Sequence, residues 1–248
     1  MIKGEKRKYQ IIRTAEDMFY EKGYENTTIQ DIISAVKLSK GGFYHHYSSK
    51  EQLLDEICDK KATGYYLHAL DAVEKSPNDP VSKFNAIYDK NGLWQEDNKD
   101  FLGLLINVAY SKNNLVMRER LKQKTVAKLL PLMQSVVKEG TDRNIFYTIY
   151  PQDICRIILN INNSLNDELA QYLLSCGYSP PVMGDIIRII DLYRNVIERL
   201  LDAPYGSITL YQAATLSEIC EEVWNDYVKV LYDNKSMYNP LAVGRELP

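Results

Sequence analysis

The chain has 248 residues, enough for one large domain or two smaller ones, and 45% of them are hydrophobic, enough for a sizeable core. With 25% charged residues and only 12 Gly and 9 Pro, it reads as neither a disordered chain nor a β-sandwich. The net charge of -3 taken alone argues against a nucleic-acid partner, yet residues 1–50 hold nine Lys/Arg against six Asp/Glu while the remainder holds 21 against 27. That is the pattern of a basic head on an acidic body.

In chain order, helical spacing dominates. Ile12, Ala15, Met18 and Phe19 mark one face of a first helix, with Gly23 as its stop. Ile29, Ile32, Ile33 and Val36 follow at i, i+3, i+4, i+7, with Thr28 as N-cap and Asp31 as its capping-box partner. A short third helix begins near Ser39. Ser49 with Gln52 signals another capping box, and Leu53, Leu54 and Ile57 open a helix reaching toward Lys75, where "SPNDP" (76–80) breaks the chain. Further helices are expected over about 80–90, 99–112 and 114–139, the last kinked or broken at Pro131. Pro151 suits the first turn of a helix over 151–175, and "CGYSPP" (176–181) ends it. A helix over 182–202 and a last one running to about Tyr232 complete an all-α chain of nine or ten helices.

Cys58, Cys155, Cys176 and Cys220 are far apart and form no C-x-x-C, and no apolar segment follows the charged N-terminus. Reduced thiols in a cytoplasmic protein are expected. No window approaches 18 uninterrupted apolar residues, so no membrane span is expected.

The stretch "LSKGGFYHHYSSKEQLL" (38–54) carries the chemistry. Two short helices joined by Lys37–Leu38–Ser39 form a helix-turn-helix candidate. A recognition helix presents its N-terminal residues to base edges. Gly41 and Gly42 allow close approach, and Lys40 offers a donor to guanine or phosphate. Tyr44, His45 and His46 can donate to phosphate or bases, and Lys50 sits at a helix start that favours an anion. Phe43 and Tyr47 are expected as inward anchors.

These residues resemble the TetR family of bacterial transcriptional repressors. The matching segments are "AEDMFYEKGYENTTIQDI" (15–32) and "LSKGGFYHHYSSKEQLL" (38–54), in register from Phe19 to Tyr24, at Thr27–Thr28, Asp31–Ile32, Ser39–Lys40–Gly41, Tyr44 and Ser49–Lys50–Glu51. The resemblance implies a three-helix DNA-binding domain over 4–64 and a larger ligand-binding and dimerisation bundle over 65–248. It implies a homodimer on a double-stranded DNA operator, released by a small-molecule effector, and no cofactor or metal. Thr28, Ser39, Lys40, Gly41, Tyr44, His45, His46 and Lys50 occupy positions that commonly contact DNA. Lys37 replaces the usual turn glycine and adds a possible phosphate contact; Ile33 and Val36 replace smaller residues; Gly42 stands where a hydroxyl or methyl is frequent.

For the body, Trp94, Phe101, Tyr110 and Tyr147 are candidates for a ligand pocket between helices. The stripes Ile154/Ile158/Ile161/Leu165 and Ile186/Ile190/Ile197/Leu201 are candidates for a four-helix dimer interface. Asn160, Asn162, Asn163 and Asn166 would then be its polar rim or a wet surface. No H-E-x-x-H, P-loop or G-x-G-x-x-G supports an enzyme. The competing reading is a helical small-molecule-binding protein that has lost specific DNA recognition, motivated by Lys37 and Gly42.

Overall fold

The computed structural model describes residues 3–89, 110, 112–176 and 179–211. Among these residues there are eight α-helices and no strand: α1 (Lys3–Lys22), α2 (Ile29–Ala35), α3 (Lys40–Tyr44), α4 (Lys50–Lys75), α5 (Pro80–Asp89), α6 (Leu115–Asp142), α7 (Ile154–Ser175) and α8 (Met183–Leu201). All of the helix expected over about 99–112 except Tyr110 and Lys112, and the last expected helix beyond Tyr211, lie outside the described residues. A short 3-10 turn, Lys112–Asn114, leads into α6.

Two cores form. The head core joins Ile11, Phe19, Ile32, Phe43, Tyr47, Leu53 and Ile57, and it draws in Met117 from α6. The body core joins Ala69 of α4, Phe84 of α5, Val136 of α6, Ile158 of α7 and Ile190 of α8. Helix α4 belongs to both, so the expected division at residue 64 falls inside one continuous helix.

Side-chain caps set the starts of α2, α3, α4 and α5. Thr28 Oγ1 accepts the Asp31 N–H while the Asp31 carboxylate accepts the Thr28 N–H, a complete capping box. Ser39 and Ser49 accept the N–H groups of Gly42 and Gln52. The Gln52 side chain reaches back one residue further than expected, to the Ser48 N–H at 2.6 Å. Asp79 accepts from Val81 and Ser82 and starts α5.

Three helices end on left-handed residues other than glycine: Lys37 (φ 52), Asn144 (φ 55) and Asp202 (φ 47). Each occupies the same place in a Schellman motif. The residue after it donates to the carbonyl five back: Leu38 to Ile33, Ile145 to Gly140 and Ala203 to Glu198.

One expectation is narrowed, the break at Pro131 being excluded, and one is corrected. Helix α6 runs unbroken through Pro131 to Asp142. Pro151 lies in a turn ahead of α7, which begins only at Ile154. Tertiary packing sustains α6 across the hydrogen bond that Pro131 cannot donate.

Candidate DNA-recognition surface

Five residues make α3, too few to be stable alone. Its position is fixed from below by Phe43 and Tyr47, 0% and 1% exposed, with ring centroids 5.9 Å apart. Both expected anchors therefore face inward. Ser39 closes the N-terminus, and α2 holds the other side through Ile32 and Ile33.

Above this base lies a continuous exposed surface. Thr28, Lys37, Ser39, Lys40, Gly41, Tyr44 and His45 are exposed, and His46 is half-buried. The His45 and His46 rings meet edge to face at 5.2 Å. A side chain at Gly41 would meet nothing within 4 Å, so Gly41 leaves the outer face of α3 low. Gly42 differs: a Cβ there would press on Leu38 Cδ2 and Ser39 Oγ, each at 3.3 Å. Gly42 thus protects the cap and the turn rather than the groove-facing side.

Lys37 is held at φ 52, a left-handed conformation. For a non-glycine residue this costs about 1–2 kcal/mol.

Lys50 requires a correction. It was expected to reach phosphate, but its ammonium donates to the Tyr24 and Thr27 carbonyls at 2.8 and 3.0 Å. It also sits 4.1 Å from the centroid of the Tyr24 ring. Lys50 therefore pins α4 to the loop between α1 and α2. Burial, and next the Glu51 carboxylate, push the Tyr24 hydroxyl to about 12. Thr27, fully buried, donates to the Gly23 carbonyl at 2.8 Å and fixes the same loop.

The body anchors this loop from the other side. Asn114, 1% exposed, accepts the Tyr24 N–H at 2.7 Å and donates to the Phe19 carbonyl at 2.9 Å. The Glu25 N–H donates to the Asn113 carbonyl, and Gly23 (φ 92) leaves room for Asn113, whose Cβ would lie 2.6 Å from an added Cβ. Sequence reasoning missed this junction. Asparagine before a helix resembles any other cap until its distant partner is known.

The expected body residues separate. Trp94 and Phe101 lie outside the described residues. Tyr110 packs on the body core and donates to Asp167 at 2.8 Å. Tyr147 is 58% exposed on the loop after α6, so it does not line an internal pocket. The dimer stripes are also corrected. Ile158, Leu165, Ile186, Ile190, Ile197 and Leu201 are buried in the chain's own core, and Ile154 and Ile161 pack against it. The apolar residues that α7 and α8 leave exposed are Ile157, Ile187, Leu192 and Val196. Asn166 is not a rim residue, because its side-chain oxygen accepts from Tyr211 at 2.6 Å. Among the described residues no cluster of His, Cys, Asp or Glu is suited to a metal, and no helix is long and apolar enough to cross a membrane.

A basic, glycine-relieved short helix set above an apolar anchor, across a turn from a second capped helix, defines a helix-turn-helix DNA-binding protein. Residues 11–57 match the family model of bacterial regulatory proteins, tetR family. The chain is 27% identical over 213 residues to the HTH-type transcriptional regulator YuxN of Bacillus subtilis, covering 83% of this chain and 68% of that one. It is 28% identical over 82 residues to the HTH-type transcriptional repressor KstR2 of Mycobacterium tuberculosis, covering 33% of this chain but only 40% of that one. A TetR-family regulator structure from Pectobacterium atrosepticum shares the fold at TM-score 0.56 and 15% identity, covering 81% of this chain and 97% of the other. Residues 11–57 thus carry a tetR-type DNA-binding domain, and along most of its length the chain is similar to an HTH-type transcriptional regulator.

Proposed function

We propose that the chain is a homodimeric repressor of the cytoplasm that binds a near-palindromic operator and leaves it when a small molecule enters the body. The observation that carries this reading is the surface of α3. Lys40, Gly41, Tyr44 and His45 stand exposed over a fully buried Phe43. Lys40 and Tyr44 supply donors for bases and phosphate, and Thr28 and Lys37 flank them. The repressor among the relatives supports the sign of regulation.

The dimer rests on the outer faces of α7 and α8. Ile187, Leu192 and Val196 line an open groove of about 500 Å³ together with Arg188, Asp191 and Arg194. Apolar residues interleaved with both charge signs suit a self-complementary contact across a two-fold axis. Replacing Leu192 with Glu is expected to shift the chain to monomer in sedimentation velocity.

The test of the whole reading is fluorescence anisotropy with the DNA upstream of the chain's own gene, and with sequences selected from random DNA, against scrambled duplex at low and physiological salt. Tight, sequence-dependent and salt-sensitive binding is expected. Equal weak binding to every duplex, including the selected pool, would leave a helical small-molecule-binding protein in its place.

A further inference from the structure

Five of the nine Lys/Arg of residues 1–50 fall between Lys3 and Arg13, on α1 and not on the recognition helix. Elsewhere in the head the cations are answered. Lys8 pairs with Glu56 at 2.8 Å, Lys22 pairs with Asp31 at 2.9 Å, and Lys61 pairs with Glu16. The Arg13 guanidinium lies 6.0 Å from the Tyr9 ring centroid. Lys6 and Arg7 differ: both are exposed, and among the described residues neither has a carboxylate within salt-bridge distance. Arg7 donates to the Gln10 side-chain oxygen at 3.1 Å and reaches the Val36 carbonyl at 3.5 Å. Val36 caps α2, and Lys37 follows it directly. The first turns of α1 therefore lie beside the turn between α2 and α3, and Arg7 and Lys37 become neighbours across two elements.

We propose that Lys6 and Arg7 grip the DNA sugar–phosphate backbone beside the base pairs that α3 reads, making the start of α1 a second, sequence-independent arm of the DNA-binding surface. The inference rests on the DNA-binding reading above and extends it to residues that neither the helix-turn-helix spacing nor the capping pattern singles out. Like charges held side by side repel in the free protein, and an anion laid across them relieves that repulsion. Long, flexible cations outside the recognition helix suit phosphate, which fixes position, rather than base edges, which specify sequence. Arg7 is also pre-oriented. The Val36 carbonyl, at the partly negative C-terminal end of α2, holds one nitrogen of its guanidinium without neutralising it. The fork has five N–H donors in all, and those left over match a phosphate in the two-pronged manner. The surface is continuous with Lys37 and Lys40, so one duplex can meet all four cations.

The experiment is fluorescence anisotropy of the full chain across a salt series, with a duplex selected from random DNA and a scrambled duplex of equal length. It is repeated on Lys6→Ala, Arg7→Gln, the double variant and the conservative Arg7→Lys. Lys138→Ala is the charge-matched control, since Lys138 lies near the body end of α6, paired with Asp142 at 2.6 Å. Lys6→Ala and Arg7→Gln should each weaken both duplexes alike, by roughly fivefold at ~0.15 M salt, and lower the salt slope by about one. The ratio of selected to scrambled affinity should stay as in the parent. Arg7→Lys should keep the slope, Lys138→Ala should change nothing, and all variants should melt with the parent. An unchanged slope in the double variant would overturn the proposal. So would an equal fall with Lys138→Ala, which would mean net charge rather than contact, or a changed affinity ratio, which would mean base reading. Loss of binding to phosphatidylglycerol vesicles with DNA binding intact would give this face to a membrane instead and overturn it too. A parent that prefers the selected duplex, with a double variant indistinguishable from it, sinks the α1 arm alone. A parent that binds neither duplex sinks the regulator reading with it.

Discussion

Lys37 shows how a single residue can carry a chemical and a conformational role at once. Its charge suggested a phosphate contact; its φ of 52 shows that it also closes α2 in the place glycine normally takes. Lys37→Gly should raise stability by about 1 kcal/mol in urea unfolding, because glycine adopts this conformation without steric cost. If Lys37 also touches phosphate, the same variant will bind operator more weakly despite being more stable. Gly140 is the opposite case. An added Cβ would lie 2.1 Å from the Phe146 ring, so Gly140→Ala should cost about 1–3 kcal/mol by the same assay. Asp31 gives a pH signature. The Thr28 backbone N–H foremost, then the Lys22 ammonium at 2.9 Å, lower its carboxyl from 3.8 to about 2. A lowered folded pKa contributes stability above the unfolded value that is lost as pH falls. Asp31→Asn should therefore melt below the parent at pH 7, with the gap closing from about pH 5 down to about 2. A gap that stays constant would mean that the carboxylate charge is not what the cap uses.

Among elements, the head was legible because its signals are local. Thr28, Ser39 and Ser49 each lie beside the N–H group they cap, and their sequence spacing is the structural spacing. The stripes of α7 and α8 were legible only in part. Apolar residues at i, i+4 and i+7 show that a face is buried, but not whether the chain itself or a second copy buries it. Ile158 and Ile190 proved to be core. Pro151 misled for a related reason: proline suits a first helical turn and an ordinary turn equally well. Lys40 and Lys50, both expected at DNA, now separate into a surface cation and a clamp. Lys40→Ala should lower the salt dependence of operator binding by about one unit of slope. Lys50→Ala should leave that slope unchanged and lower the melting temperature, since two carbonyls lose a charged donor. A reduced slope for Lys50→Ala would restore it to the interface.

At the scale of the whole molecule, head and body share contacts on two sides. Helix α4 passes through both cores, and α6 returns to the head through Asn114 and Met117. Between these helices run Arg120–Asp55, Lys124–Asp55 and Lys128–Asp59, at 2.9, 2.8 and 3.3 Å. Such partly exposed pairs each stabilise little, but they set the register of α6 on α4. Asn114 matters more, because it is buried and bonded to backbone on both sides. Asn114→Ala should leave the buried Tyr24 N–H unpaired, costing about 1–3 kcal/mol, while the Phe19 carbonyl keeps the Gly23 N–H. Amide exchange over residues 23–27 should accelerate before that of the body core. Uniform acceleration across the chain would mean that the junction and the body open together.

The 26 residues of α4 form one rod of ~39 Å. Its Ala69 end is packed in the body, and its Lys50 end is bolted to the loop that carries α2. Such a rod has a mechanical advantage. A tilt of about 5° imposed at one end displaces the other by roughly 3 Å, close to the ~3.4 Å rise between neighbouring base pairs. Two heads moved in this way in a dimer would fall out of step with the DNA by up to about two base-pair steps, so a body rearrangement too small to disturb its own packing would still be felt at the groove.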